Sequence, residues 1–191
     1  MKRIATTMTA ALMAFSLVAC GAAGTQQTSE SAEQTSTSTE ATSESTEVAN
    51  PWKEATNAQE AGESAGVGYF IVPADNTQSS IGPINWYGYK YMTNLAEADG
   101  AIGAAELTVR KGLKQDSTDV SGDYNKYTYE WTQQVGDWQV SCYGNEENKM
   151  MKAIWLSDNF SYSIEVRGQG DLYNTFGLGA DDTALLVSGI E

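Results

Sequence analysis

Few side chains in this sequence are of the types that most enzymes use, because the chain has no histidine and only two cysteines. It therefore lacks the commonest general base and the commonest zinc ligand. Cys142 shares one side of a strand-like run with Trp138 and Val140, and no histidine is present to activate its thiol. We interpret Cys142 as a small core residue, and we predict no catalytic residue, no metal-binding residue and no cofactor.

Carboxylates are the remaining groups that could perform acid–base chemistry, since the chain has 25 Asp and Glu residues against 11 Lys and Arg residues. Glycosidases use two such groups. The spacing selects no pair, and Glu106, Glu130 and Glu165 occupy the polar positions of alternating runs. Solvated surface charge is the simpler interpretation of these three side chains. A carboxylate-based hydrolase acting on cell-wall or extracellular polymers stays open as an alternative.

Oxygen-bearing side chains are concentrated in residues 116–125, which include Asp116, Asp119 and Asp123. Calcium prefers such ligands, but the spacing does not match that of an EF-hand loop. Aspartate, serine, asparagine and glycine are also the residues that turns use. We interpret the segment as a loop, and calcium binding stays open.

Aromatic side chains give the best indication of a binding function, because they alternate on two strand-like runs. The tyrosines of the first run are expected on one face of a strand, with Trp86 on the other. Such a stripe offers a stacking surface for a sugar, a peptide or a protein where it faces solvent, and it is core where it faces a second layer. The candidate ligand-binding residues are Tyr87, Tyr89 and Tyr91 on the first run and Tyr127, Tyr129 and Trp131 on the second.

Period-two alternation of apolar residues dominates residues 87–167 and predicts antiparallel strands joined by short turns. An earlier strand is predicted over residues 68–73, where a β-rich run ends at a proline. The expected turns lie at residues 99–100, 121–123, 136–137 (type II′), 144–145 and 158–159 (type I′).

Two short helices are expected at the ends of the folded region. The first follows Thr56, a potential N-cap with Gln59 as its capping partner. The second covers residues 183–190 behind Asp181 or Asp182. The predicted fold is α+β, a single twisted antiparallel meander of about six to seven strands with these helices at its ends. At least one helix should cover a sheet face, and a β-sandwich is the structural alternative.

The first twenty residues have the pattern of a targeting segment, with Lys2 and Arg3 before an apolar run that is too short to span a membrane comfortably. The run ends in Leu17-Val18-Ala19-Cys20-Gly21, which resembles the bacterial lipobox. This resemblance implies that the Cys20 thiol is lipidated and that the chain is cut before Cys20. An ordinary secretory peptide is the alternative. We therefore expect a signal peptide over residues 1–19 and a location on the extracytoplasmic face of the cell membrane.

Residues 20–50 are predicted to form a polar tether behind the lipidated cysteine. They are almost entirely Ser, Thr, Glu, Gln, Ala and Gly, with five glutamates and no basic residue. Such a composition cannot bury enough apolar surface to offset the entropy of ordering, and its like charges favour extension. Glycosylation of the tether stays open. The globular domain is expected over residues 51–191, where all tryptophans and tyrosines lie.

The lipobox and the polar tether, together with Asn50-Pro51-Trp52 and the strand-like residues 68–73 and 160–164, resemble a group of small lipoproteins of Gram-positive anaerobes whose domains have no assigned function. The resemblance implies surface localisation and a sheet with flanking helices, and it implies no catalytic residues.

Partner classes are limited by the net charge of −14, which argues against nucleic acid because phosphates require Lys and Arg. The predicted function is a lipid-anchored binding module for a polysaccharide, a peptide or a protein. Alternatives are the hydrolase described above and a membrane-proximal sensor that binds a protein partner.

Overall fold

The structure, a computed structural model, describes residues 49–191. The predicted signal peptide, Cys20 and nearly all of the tether lie outside the described residues. Residues 49–191 form a nine-stranded, wholly antiparallel sheet with two helices. The strands are β1 (Lys53–Ala55), β2 (Gln78–Ser79), β3 (Gly82–Met92), β4 (Leu95–Ile102), β5 (Ala105–Leu113), β6 (Tyr129–Val135), β7 (Trp138–Gly144), β8 (Lys152–Leu156) and β9 (Phe160–Arg167), and the helices are α1 (Ala58–Ala65) and α2 (Ala180–Ser188).

The strand order differs from the predicted meander of six to seven strands. The order is β1-β3-β4-β5-β9-β8-β7-β6, and β2 pairs with one end of β3. Two meanders, β3 to β5 and β6 to β9, therefore meet where β5 pairs with β9. Alternation shows that strands are present but does not show which of them are neighbours. Residues 114–128, which we call the strap, connect β5 to β6 across a lateral distance of four strand spacings, about 20 Å.

One face of the sheet carries the hydrophobic core, and we call it the core face. Its central row runs across the sheet as Tyr89, Ala98, Val109, Ile164, Ala153, Cys142 and Trp131. Helix α1 packs near β3 and β4, and α2 packs near β6. The two helices supply the second layer that a sheet with one apolar face requires. A single sheet with helices is thus confirmed.

Both helices begin at positions other than the predicted ones. Asn57, not Thr56, caps α1: its side chain accepts a hydrogen bond from the Glu60 amide at 2.9 Å. The reciprocal contact is made by Glu60, not by the predicted Gln59: the Glu60 carboxylate accepts a hydrogen bond from the Thr56 backbone amide. Helix α1 ends at Gly66, whose φ of 81° is the left-handed conformation that glycine adopts readily.

Helix α2 begins at Ala180 behind Gly179, with no capping side chain. Asp182, one of the two predicted caps, lies inside the helix. Its carboxylate accepts hydrogen bonds from the backbone amide (2.8 Å) and hydroxyl (2.5 Å) of Ser80. The predicted cap is therefore a tie between α2 and the loop that precedes β3.

Three other local predictions are wrong. Residues 68–73 do not join the sheet; Ile71 exchanges backbone hydrogen bonds with Glu191 at 3.0 and 3.2 Å instead. Residues 99–100 are not a turn but lie inside β4, where Gly100 packs under the Trp86 indole. Residues 158–159 do not form a type I′ turn, since among the described residues neither has the positive φ that this turn needs.

The tight turn between β6 and β7 has the predicted position. Gly136 has a φ of 55° and Asp137 has no positive φ, as a type II′ turn requires.

Candidate functional site

The first aromatic stripe is divided by a β-bulge. The register between β3 and β4 shifts between Trp86 and Gly88, so that Tyr87 is the extra residue. Trp86 consequently lies on the same face as Tyr89 and Tyr91, contrary to the prediction, and all three pack against the core. Tyr87 is 69% exposed.

The second stripe is divided as well. Trp131 packs against the core and Tyr129 is exposed. Tyr127 precedes β6 and belongs to the strap, where its hydroxyl donates a hydrogen bond to the Asp123 carboxylate. Burial and the Asp123 carboxylate both raise the pKa of Tyr127.

The two stripes do not form one surface. Strands β3 and β6 are separated by five other strands, which corresponds to about 30 Å at the usual strand spacing. Tyr89 and Trp131 stand at opposite ends of the same core row. A small ligand could not contact both stripes at once.

The opposite face of the sheet, which we call the polar face, carries a row of charges. On it Lys90, Glu97 and Arg110 occupy directly paired positions of β3, β4 and β5. Glu97 is only 1% exposed, and its two oxygens contact Lys90 Nζ (2.5 Å) and Arg110 Nε. The Trp52 ring covers both cations, with its centroid 5.4 Å from Lys90 Nζ. The charged groups are thus paired within the protein, as buried charges require.

A second charge cluster holds the strap against the polar face. Lys152 Nζ lies 3.1 Å from the Asp119 carboxylate and donates to the Asp123 carbonyl at 3.2 Å. Arg167 Nη2 lies 3.3 Å from Asp123 and 2.9 Å from Glu165. The strap supplies the two aspartates, and β8 and β9 supply the cations and Glu165.

Burial favours a higher pKa for all three carboxyls of this cluster, but the net direction of the pKa shift differs among them. Burial alone would raise the pKa of Asp119 and Asp123, yet hydrogen bonds from Ser121 and Tyr127 and the neighbouring cations lower both values. For Glu165, desolvation outweighs the bond from Arg167, so the pKa is raised. Glu165 is therefore not the solvated surface charge expected from its polar strand position.

Asp123 and Glu165 form a pair of carboxyls with opposite pKa shifts, the pattern that acid–base enzymes use. A hydrolase needs such a pair beside a substrate cleft. Here Arg167 lies against both carboxylates, the strap covers them, and neither lines any of the largest clefts in the described chain. The geometry fits a structural role for this pair.

The strap shows no arrangement for calcium. Asp119 and Asp123 already face Lys152 and Arg167, whose positive charges occupy the place of a cation. Among residues 49–191, no group of three or more acidic, cysteine or histidine side chains is arranged to hold a metal ion.

Cys142 occupies the core face and is fully buried. Desolvation raises the pKa of its thiol to about 12, so it carries no thiolate near neutral pH.

A cavity with the size and mixed lining of a ligand site opens where β7 and β8 separate. Pairing between them covers only three residue pairs and stops at Ser141 and Ile154, although both strands continue beyond this point. A cleft of about 630 Å³ occupies the opening. We call it the strand-end cleft; it is bounded by the strap, by the β6–β7 turn and by the β8–β9 turn, and it is lined by Lys114, Thr118, Asp119, Asp137, Trp138, Gln139, Ser141, Tyr143, Ile154, Trp155, Leu156, Ser157 and Asp158.

The cleft combines apolar and polar contacts. Trp138 and Leu156 are 36% and 39% exposed and provide apolar surface. Ser141 and Tyr143 add hydroxyl groups, and Gln139 adds an amide. Trp138 follows the same alternation as the buried Val140 and Cys142, but it is exposed because β7 is no longer paired with β8 at this position.

No family model, curated protein or solved structure matches the chain. In the described part of the chain, neither helix has the length and apolar character needed to cross a membrane.

Proposed function

We propose that this protein is a lipid-anchored, extracytoplasmic binding module that takes a neutral, hydroxyl-rich ligand, such as a segment of envelope polysaccharide, in the strand-end cleft. The observation that supports this most is the composition of the cleft: an exposed tryptophan stands beside hydroxyl, amide and carboxylate groups in a cavity of about 630 Å³. Such cavities, with a few polar groups that fix orientation, are typical of ligand sites.

The chemistry of the cleft favours a sugar over an anionic ligand. The Trp138 ring offers a flat apolar face for a pyranose ring. Asp137 and Asp158 can accept hydrogen bonds from sugar hydroxyls, and Gln139 can donate and accept. Three aspartates and a single lysine line the cleft, so an anionic polymer would be repelled.

Binding without catalysis is the simpler interpretation of the carboxylates. Asp119, the cleft carboxylate that also belongs to the second charge cluster, is engaged by Lys152 and Ser121. Its lowered pKa makes it a poor proton donor near neutral pH. The carboxyl with a raised pKa, Glu165, lies outside the cleft.

The anchoring part of the proposal rests on the lipobox resemblance around Cys20 and on the composition of residues 20–50. A diacylated cysteine would anchor the chain stably, since each buried methylene contributes about 0.8 kcal/mol.

The proposal is tested by titrating the full chain with soluble, uncharged oligosaccharide fragments of N-acetylglucosamine. Replacing the cleft tryptophan (Trp138→Ala) should weaken binding at least tenfold. Tyr87→Ala, which removes an exposed aromatic ring on β3 outside the cleft, should leave affinity unchanged. Equal affinity of Trp138→Ala and wild type would reject the cleft as the ligand site. A loss of affinity with Tyr87→Ala alone would place the ligand on the first aromatic stripe instead.

A further inference from the structure

The two outer edges of the sheet differ in how far their backbone groups are covered by other parts of the chain. The outer edge of β3 is covered for most of its length: β1 pairs with Tyr89 to Tyr91, and β2 pairs with Gly82 and Pro83. Between them, residues 75–77 bond to the backbone of Ile84 and Trp86. Strand β1, the last strand on this side, is three residues long and bears Lys53 and Glu54. Short, charged edge strands resist pairing with other chains.

Strand β6, the last strand on the other side, has none of these protections. It extends from Tyr129 to Val135 and pairs with β7 over its whole length without a register shift. Its sequence, YEWTQQV, contains no proline, no lysine and no glycine, and Glu130 is its only charge. Within residues 49–191, β7 is its only strand partner. Its outer backbone groups are therefore available to another strand.

We propose that β6 is a self-association surface, on which the β6 strand of a second copy of this chain pairs antiparallel across a two-fold axis at Thr132. This inference is independent of the strand-end cleft. A two-fold interface brings the same patch of two copies together, so the patch must be self-complementary.

The sequence of β6 meets that requirement. With Thr132 on the axis, Glu130 faces Gln134 of the second copy, so no like charges are opposed. Trp131 then faces Gln133, and Tyr129 faces Val135. Tyr129 is exposed and Trp131 only partly buried at the free edge, and a neighbouring strand would cover both rings. Thr132 of one chain would face Thr132 of the second chain, and threonine pairs across strands are favourable.

The layer beneath the edge also suits a second copy. Helix α2 lies near β6, and the Gln133 side chain donates to the Ala180 carbonyl at 2.8 Å. Ala184 and Leu185 of α2 are only partly buried. A continuous sheet through two copies would have a helical layer on the core face on both sides of the seam.

The test uses full-length chains with two different affinity tags, co-expressed and extracted in detergent, with capture on one tag and detection of the other. Wild-type chains should co-capture. Thr132→Glu with itself and Thr132→Lys with itself oppose like charges on the axis, and each should reduce co-capture at least fivefold. Mixing Thr132→Glu with Thr132→Lys should restore it.

A matched control makes the same substitutions at Thr93, an exposed threonine in the β3–β4 turn, and these should co-capture like wild type. A second set tests the register: Gln134→Glu should weaken co-capture, and Glu130→Lys with Gln134→Glu should recover it. This set keeps the test decisive if a Thr132 variant fails to fold.

The self-association surface is rejected by absence of wild-type co-capture, by Thr132→Glu chains that co-capture like wild type, or by a charge-swapped mixture that stays apart. Mixed detergent micelles would capture all variants equally, which also rejects it.

Discussion

At the scale of single residues, two groups of charges on the polar face are engaged with one another rather than with solvent. Glu97, Asp123 and Lys152 are buried on the polar face, and each has an oppositely charged neighbour. Removing one member of such a pair lowers the free energy of unfolding by more than the pair contributes to it, because the remaining charge stays buried without a partner. Asp123 and Lys152 therefore hold the strap in place.

Asp123→Asn should destabilise the protein by about 2 kcal/mol, since Arg167 loses one of its two carboxylate partners and the Tyr127 hydroxyl loses its charged acceptor. Urea unfolding followed by tryptophan fluorescence measures the change. Asp171→Asn, at an exposed site outside the cluster, should change stability by less than about 0.5 kcal/mol. Equal stability of the two variants would contradict a role of Asp123 in holding the strap.

The pH dependence of stability should follow from the same cluster. Asp119 and Asp123 have pKa values below their ordinary 3.8, so their contribution is present above about pH 4 and is lost as pH falls through the folded values. Glu165 has a raised pKa, so its contribution is present in acid and is lost as pH rises through the folded value.

Between pH 4 and pH 2 the free energy of unfolding should therefore fall further in wild type than in the variant with both Asp119→Asn and Asp123→Asn. The difference between the two pH profiles isolates these groups from the remaining carboxylates. Parallel profiles would show that neither aspartate is stabilised as its anion.

At the scale of elements, the alternating runs were predicted from sequence, and their order was not. Leu107 and Val109 on β5 and Ile164 and Val166 on β9 are buried as alternation requires. Nothing local indicates that these two strands are neighbours, because that pairing depends on where the strap returns the chain. The bulge at Tyr87 also leaves no local signal in the sequence, and because of it the Trp86 side chain lies on the core face.

The candidate site was missed for a related reason. Ser141 and Tyr143 have ordinary polar positions on β7, and only the loss of pairing beyond Ile154 turns their surroundings into a cleft. Similarly, Ser161 and Ser163 are buried at positions where alternation predicts exposure, and Ser161 donates a hydrogen bond to the Ser117 carbonyl of the strap. A loop that packs over the polar face of a sheet does not change the alternation of residues in the strands beneath it, so the sequence pattern does not predict this burial.

Gly100→Ala tests the packing of β4 under β3. A methyl group there would approach Asn85 O at 2.6 Å and the Trp86 ring at 2.7 Å, so we expect a loss of about 2 kcal/mol. Gly88→Ala is the matched control on the polar face, where the nearest atom is 3.7 Å away. Thermal unfolding should separate the variants, and a Gly100→Ala protein as stable as Gly88→Ala would contradict this packing.

At the scale of the whole molecule, the net charge of −14 belongs to both the tether and the domain. An acidic chain is repelled by anionic surfaces, so the proposed membrane association requires an anchor rather than electrostatic attraction.

Cys20→Ser should therefore abolish labelling by radioactive palmitate and prevent the cut before residue 20, so that the chain keeps residues 1–19. Cys142→Ser should leave both unchanged, because Cys142 is a buried core residue. Palmitate labelling that survives Cys20→Ser would contradict the assignment of the lipid anchor.

Hydrogen exchange of the full chain, with and without soluble, uncharged oligosaccharide fragments of N-acetylglucosamine, tests the central claim most directly, because it locates the bound fragment without assuming which residues hold it. Bound fragments should slow exchange in residues 137–143 and 154–158, on the two strands and turns that frame the strand-end cleft. Exchange in residues 87–91 should not change. Protection confined to residues 87–91 or 127–131, or no protection at all under conditions of saturating fragment, would contradict the assignment of the cleft as the ligand site.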